Sequence, residues 1–255
     1  LMPNKKETEI HLMKMLSNTP LQIELDLIRT KSRKSKYTDM DYLTKNYKSL
    51  DEIKHKKYDG LIITGAPVEH LEFDEIDYWD ELKELFEFAR TNVYSSLFIC
   101  WASQAALYYY YGIDKKPLDS KLSGVFEYEV VQESKLTRGL DDYFYYPQSR
   151  NTKNDEADIL AERDLKIIAK SDEGGVCIVT STDDRFVFIS GHGEYETDTI
   201  YNEYMRDLNK GINPSIPKNY FKDDDHSNPI VVRWKSSGSL IFSNWINHFV
   251  YQQTP

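Results

Sequence analysis

Residues Tyr58-Asp59-Gly60-Leu61-Ile62-Ile63 form a short, largely apolar run closed by a tight Thr64-Gly65-Ala66-Pro67 turn, with an amphipathic helical pattern following over residues 79–90. Leu97-Phe98-Ile99-Cys100 repeats the run, and residues 102–111 repeat the helical pattern, ended by Gly112. A short apolar run without alternation is the mark of a strand buried on both faces of a parallel sheet. Two strand-turn-helix units in succession require a right-handed crossover between neighbouring strands, and so a doubly wound sheet with helices on both faces. The fold class is therefore α/β, a mainly parallel sheet flanked by helices in three layers. Ligands of such sheets lie at the carboxyl ends of the strands.

The rest of the chain elaborates this frame. Residues 7–16 carry Ile10, Met13 and, a turn on, Leu16 or Leu12 at helical spacing, stopped by Asn18-Thr19-Pro20. Residues 21–28 alternate apolar and polar, the pattern of a half-buried strand, and residues 31–36 read as a solvated basic loop. Beyond Lys121 short strands are expected at 124–131, 165–170, 175–180 and 185–190, the last two as a hairpin around Thr182-Asp183-Asp184. A helix over 197–210, an irregular Pro- and Asp-rich connection over 213–229 and an aromatic-rich helix over 240–251 complete the chain. No repeat or linker divides it, so residues 1–255 are expected to form a single domain.

A net charge of −10 argues against a nucleic-acid partner, which needs a basic face. No stretch approaches the roughly 18 uninterrupted apolar residues of a membrane helix, and residues 1–7 have no apolar signal core, so a cytoplasmic location is expected. Two cysteines in a chain of this size read as thiols rather than a bridge.

Chemistry concentrates at two strand ends. Cys100 lies between an apolar strand and a helix, where the turn pushes its side chain outward and the helix N-terminus favours a thiolate; the N–H of Trp101 is placed to join an oxyanion hole. A buried structural cysteine is the alternative. Cys177, in mid-strand within Val176-Cys177-Ile178-Val179, reads as core. Among six histidines, only His192 follows a strand end directly with a carboxylate, Glu194, two residues later to fix its tautomer. A nucleophile at one strand end and a His-x-Glu at another in one sheet reinforce each other. No cluster shows metal-ligand spacing, Asp223-Asp224-Asp225-His226 reading as a solvated loop. Phosphate-cradling glycine motifs are absent.

Across nearly its whole length the chain also resembles the homoserine O-acyltransferases of the homoserine transsuccinylase family. The matching stretches include Leu1-Met2-Pro3, Leu16-Ser17-Asn18-Thr19-Pro20-Leu21-Gln22, residues 59–67, Cys100-Trp101-Ala102, Gln104-Ala105-Ala106-Leu107 and Asn244-Trp245. The resemblance implies a class I glutamine amidotransferase-like (flavodoxin-like) fold and a two-step reaction. Cys100 would take an acyl group from acyl-CoA as a thioester and pass it to the hydroxyl of an amino acid; His192, oriented by Glu194, would serve as base in both steps. By the same resemblance, Lys121 would help bind or polarise the acyl donor, Ser149 would bind substrate and Arg206 would clamp the amino acid carboxylate, for which a planar guanidinium is suited. Without the resemblance, Arg206 reads as a surface arginine paired with Asp207 or Glu203. It further implies a homodimer, acetyl-CoA as co-substrate with no bound cofactor, and an upstream segment and first strand that precede Leu1 in the family; the chain is expected to lack them.

Family members with Glu two residues after Gly-Ala-Pro resemble acetyl-CoA users, and those with Gly resemble succinyl-CoA users. Here the residue is Glu69, whose carboxylate would repel a succinyl group. The expected reaction is acetyl transfer from acetyl-CoA to L-homoserine. Three departures stand against the family pattern: Gly193 in His192-Gly193-Glu194-Tyr195 for Pro, Gln148 in Pro147-Gln148-Ser149-Arg150 for His, and Lys235 and Ser237 in Trp234-Lys235-Ser236-Ser237 for Arg and His. They leave open L-serine as acceptor, beside succinyl-CoA as donor, a glutaminase-like hydrolase and a non-catalytic binding protein.

Overall fold

A computed structural model describes residues 1, 2, 4–32 and 39–254 of the 255-residue chain. Pro3 of the first matching stretch and residues 33–36 of the basic loop lie outside the described residues. In chain order the elements are α1 (Lys5–Leu16), β1 (Leu27–Ile28), α2 (Met40–Asn46), β2 (Tyr47–Lys48), α3 (Leu50–Ile53) and β3 (Tyr58–Ile63). Then come α4 (Trp79–Asn92), β4 (Val93–Ile99), α5 (Trp101–Tyr111), β5 (Lys116–Val130), β6 (Tyr143–Lys153), α6 (Glu156–Ala161), β7 (Leu165–Ser171), β8 (Gly175–Ser181) and β9 (Phe186–Ile189). The chain ends with α7 (Thr199–Asn209), α8 (Lys235–Asn244) and a π-helical continuation over Trp245–Tyr251.

Strands β3 to β9 form one sheet in the order β3-β4-β9-β8-β7-β5-β6. Strands β3, β4 and β9 run parallel, and the pairings from β9 to β6 are antiparallel. The α/β class stands. The expected parallel character belongs to the half that carries Cys100, where the crossover helix α4 joins β3 to β4 and β9 lies parallel beside β4; in the other half the hairpins β5–β6, β7–β8 and β8–β9 give antiparallel pairing. The strand at 58–63 also departs from expectation. It is an edge strand, and of its side chains only Ile63 is fully buried.

Alternation along the strands divides two cores. Phe98, Phe186 and Phe188 point to one face, where they pack with Leu82 and Phe86 of α4 and Trp101, Ala102 and Ala105 of α5. Leu97, Ile99, Val187 and Ile189 point to the other, against Leu16 of α1, Ile241 and Phe242 of α8, and Trp245 and Phe249 of the π-helical turn. This is the three-layer arrangement in which each strand presents two apolar faces.

Helices α4, α5 and α7 and the β8–β9 hairpin lie close to their expected positions. Other expectations need correction. Within residues 21–28 only Leu27 and Ile28 form a strand, paired in parallel with β2 outside the main sheet, and Ile23 and Leu25 are exposed. Asp26 holds this segment instead, accepting hydrogen bonds from Lys48, from the Tyr58 hydroxyl at 2.7 Å and from Lys56 at 3.1 Å. Helix α1 turns Ile10 and Met13 outward, 53% and 44% exposed, and buries Leu16 with Glu9 and His11. The Glu9 carboxylate is satisfied by the hydroxyls of Tyr42 and Tyr47, which makes its burial tolerable. The aromatic helix at the C-terminus begins earlier than expected, at Lys235, and changes to π-helical turns from Trp245. No helix among the described residues is long and apolar enough to cross a membrane.

Candidate active site

Cys100 caps the N-terminus of α5 with φ 55° and ψ −122°, a conformation that non-glycine residues rarely adopt. Strand β4 fixes its N–H on the Ile189 carbonyl at 2.7 Å, and the first turn of α5 fixes its own carbonyl, which accepts from the Ser103 N–H at 2.9 Å and the Ser103 hydroxyl at 2.7 Å. A residue held from both sides in a strained conformation is a candidate functional turn. The thiol is 7% exposed, so the turn aims it into the protein rather than outward as expected. Gly65 lies against it: a Cβ there would be 3.2 Å from the Cys100 Cβ and 3.4 Å from the Trp101 nitrogen. The loop after β3 thereby covers Cys100, beside the Trp101 N–H that opens the helix.

His192 follows β9, as expected, and both it and Glu194 are buried. Its Nδ1 is 2.7 Å from Glu194 Oε1, and its ring stacks on Tyr195 at 4.2 Å with an interplanar angle of 11°. Burial alone would drive this imidazole toward its neutral form. The charge of Cys100, then that of Glu194, and hydrogen bonds to both outweigh burial and hold the His192 pKa well above the ordinary histidine value. Cys100, His192 and Glu194 are thus brought together as one electrostatic unit. Cys177 is not part of it; its thiol is fully buried and pushed up to about 12 by that burial.

The substrate-side candidates converge on α7. Lys121, in the irregular stretch of β5 between Pro117 and Leu122, donates to Asp207 at 3.2 Å and lies 3.8 Å from Glu203. The Ser149 hydroxyl of β6 donates to Glu203, and the Tyr195 hydroxyl reaches the same carboxylate at 3.2 Å. Arg206 has its side chain 52% exposed and donates to Asp207 at 2.9 Å, the pairing that the sequence offered as the alternative to a ligand role. Burial pushes the Asp207 pKa upward, but hydrogen bonds from Arg206 and the charge of Lys121 prevail and lower it. Glu69 sits apart from this cluster, its carboxylate accepting from both the backbone N–H and the side-chain amide of Asn151, each at 2.8 Å.

Sequence reasoning missed the strand that organises much of this. Strand β6 supplies Ser149 and Asn151, and its Pro147 carbonyl accepts the His192 N–H at 3.0 Å. The strand carries Pro147, which a central strand would exclude; β6 is an edge strand, where the missing N–H costs nothing. The family departures lie within the His192–Glu194 turn, at Gly193, and around it. Gln148 is fully buried, with its amide nitrogen 2.7 Å from the Tyr128 hydroxyl and 3.2 Å from the Ser190 hydroxyl, and it accepts from Arg150. Ser237 is buried one residue before Gly238, and a Cβ on Gly238 would lie 2.4 Å from the Gly193 carbonyl oxygen.

Comparison with known proteins adds to this geometry. The profile of the homoserine O-succinyltransferase family matches residues 1–255. The chain is 52% identical to homoserine O-acetyltransferase 1 of Ilyobacter polytropus over 256 residues, covering 100% of this chain and 85% of that protein. It is 51% identical to the homoserine O-acetyltransferase of Methanomethylophilus alvi, covering 100% of this chain and 83% of that protein. The corresponding enzyme of Bacillus cereus is 49% identical, with 100% and 85% covered. Among solved structures, a glutamine amidotransferase from Methylobacillus flagellatus superposes with a TM-score of 0.54 at 13% identity, covering 81% of this chain and 87% of that one. Another from Thermotoga maritima gives 0.51 at 16%, covering 81% and 89%. At such identities these two share the fold alone.

Proposed function

Since this chain belongs to the homoserine O-succinyltransferase family, we propose that it transfers an acetyl group from acetyl-CoA to the hydroxyl of L-homoserine, with Cys100 as the acyl carrier. The chain is an acyltransferase, and its relatives at about half identity are named homoserine O-acetyltransferases; methionine biosynthesis follows as its setting. The observation that carries the site assignment is the strained, doubly anchored Cys100 facing an imidazole whose far nitrogen is 2.7 Å from Glu194.

In this reading the Cys100 thiolate attacks the thioester carbonyl of acetyl-CoA, and the oxyanion forms beside the Trp101 N–H. Collapse breaks the carbon–sulfur bond to CoA, and the His192 imidazolium gives its proton to the departing thiolate. Acetylation removes the Cys100 charge, the largest force holding the ring protonated. His192 is then a neutral base with Glu194 orienting it, able to take the proton of the acceptor hydroxyl as that oxygen attacks the thioester. Collapse of the second intermediate restores thiolate and imidazolium. Arg206 meets the acceptor carboxylate, Glu203 and Asp207 suit its ammonium group, and Lys121 and Ser149 complete the cradle. Glu69, held by Asn151, disfavours a succinyl donor by repulsion. A homodimer belongs to the same reading and is checked by light scattering against the chain mass of 29.9 kDa.

Intact-mass measurement after exposure to acetyl-CoA tests the carrier. One added acetyl group, lost in Cys100→Ala, is expected; an unmodified wild-type protein would sink the assignment. CoA release with homoserine, and its absence with serine or with succinyl-CoA, fixes acceptor and donor.

A further inference from the structure

The turn from Gly191 to Glu194 is gripped from two sides with no room to spare. On one side stands β6: a Cβ on Gly191 would lie 2.4 Å from the Pro147 carbonyl oxygen and 2.8 Å from Tyr146 Cδ1, and one on Gly193 would lie 2.2 Å from the Tyr146 hydroxyl oxygen and 2.7 Å from its Cζ. On the other stands α8, where a Cβ on Gly238 would lie 2.4 Å from the Gly193 carbonyl oxygen. Distances under 3 Å exclude any side chain without displacement of backbone or of a packed ring. Tyr146 cannot retreat, being 1% exposed and packed edge-on against Phe144 at 6.0 Å. Its hydroxyl faces the backbone N–H of Gly193, and burial first, then the nearby Glu194 charge, keep the phenol protonated.

We propose that Tyr146 is a positioning residue for the His192–Glu194 pair, and that Tyr146 and Gly193 form one matched unit whose contact sets the direction from which Glu194 meets the imidazole. The ring occupies the volume that any side chain at 193 would need, and the hydroxyl steadies the peptide between the base and its orienting carboxylate. Because the peptide is clamped against Gly238 from behind, a shift at Tyr146 passes to Glu194 rather than being absorbed by the loop. This rests on the reading of His192 as the base.

The experiment follows the rate of Cys100 alkylation by iodoacetamide against pH, located by mass spectrometry, in wild type, Tyr146→Phe and His192→Asn, with acetyl-CoA turnover measured alongside. Tyr146→Phe keeps the ring and is expected to displace the alkylation profile toward that of His192→Asn and to lower kcat by about tenfold with little change in KM, as for a mispositioned general base. A Tyr146→Phe profile superimposed on wild type, with His192→Asn distinct from both, overturns the positioning role. Superposition of His192→Asn on wild type overturns the base assignment itself, and this proposal with it. The matching is read from Gly193→Ala, expected to lower kcat by about 100-fold beside Tyr146, a loss of the size that misplaced catalytic groups produce, and by much less in a Tyr146→Ala background. Additive losses overturn it.

Discussion

At the scale of single residues, the proposed chemistry turns on how the surroundings of His192 set its charge. Proximity of Cys100, ahead of that of Glu194, is the largest influence raising the imidazole pKa against burial, so removal of the Cys100 side chain should be visible on the ring. In Cys100→Ala, the His192 titration followed by NMR is expected to move to lower pH than in wild type, because burial then acts against Glu194 alone; an unchanged midpoint would show that Glu194 suffices. The positions of Cys100 at a strand-to-helix turn and of His192 and Glu194 beyond a strand end were legible in the sequence, because strand ends and helix starts have residue patterns of their own. The Tyr195 stack on His192 and the Asn151 grip on Glu69 were not, since the first depends on how the turn after β9 folds back on itself and the second joins β6 to the loop after β3 in space.

Among the elements, the β3 and β4 units and their helices followed from periodicity, as an unbroken apolar run followed by a helical pattern has few other solutions. Residues 21–28 show the opposite case. Their alternation suits a strand, yet the segment is held by one carboxylate, with Lys48 its strongest partner, then Tyr58 and Lys56. These bonds push the Asp26 pKa far below the usual carboxylate range. A depressed folded-state value means that the contribution to stability is present above the ordinary carboxylate pKa of about 4 and is lost as pH falls below it toward the folded value. Asp26→Asn is therefore expected to melt lower than wild type at pH 7, with the gap narrowing toward pH 3; a constant gap would assign the effect to packing. Strand β6 tolerates Pro147 for the reason that makes it useful. An edge strand has a carbonyl row to spare, and one of those carbonyls fixes the His192 backbone.

Over the whole molecule, the sheet is the shared wall of two apolar layers, and Cys100 sits where both approach it. Phe98 lies in the wall, its ring stacked on Phe188 at 5.2 Å and edge-on to Phe86 at 5.9 Å. Truncation of such a ring costs about 3–5 kcal/mol, or about 10 °C in Tm at roughly 2–4 °C per kcal/mol for a chain of this size. We propose that residues 1–255 form one domain, so Phe98→Ala should lower a single calorimetric transition; two separate transitions would divide the chain. The cluster on α7 bears on how such a molecule fills its site. Arg206 and Lys121 already share the carboxylates of Glu203 and Asp207. On the proposed function an arriving amino acid would bring the same two charges, so binding there would be an ion exchange in which one internal salt is traded for another, and a ligand carrying only one of the charges would leave the trade half complete.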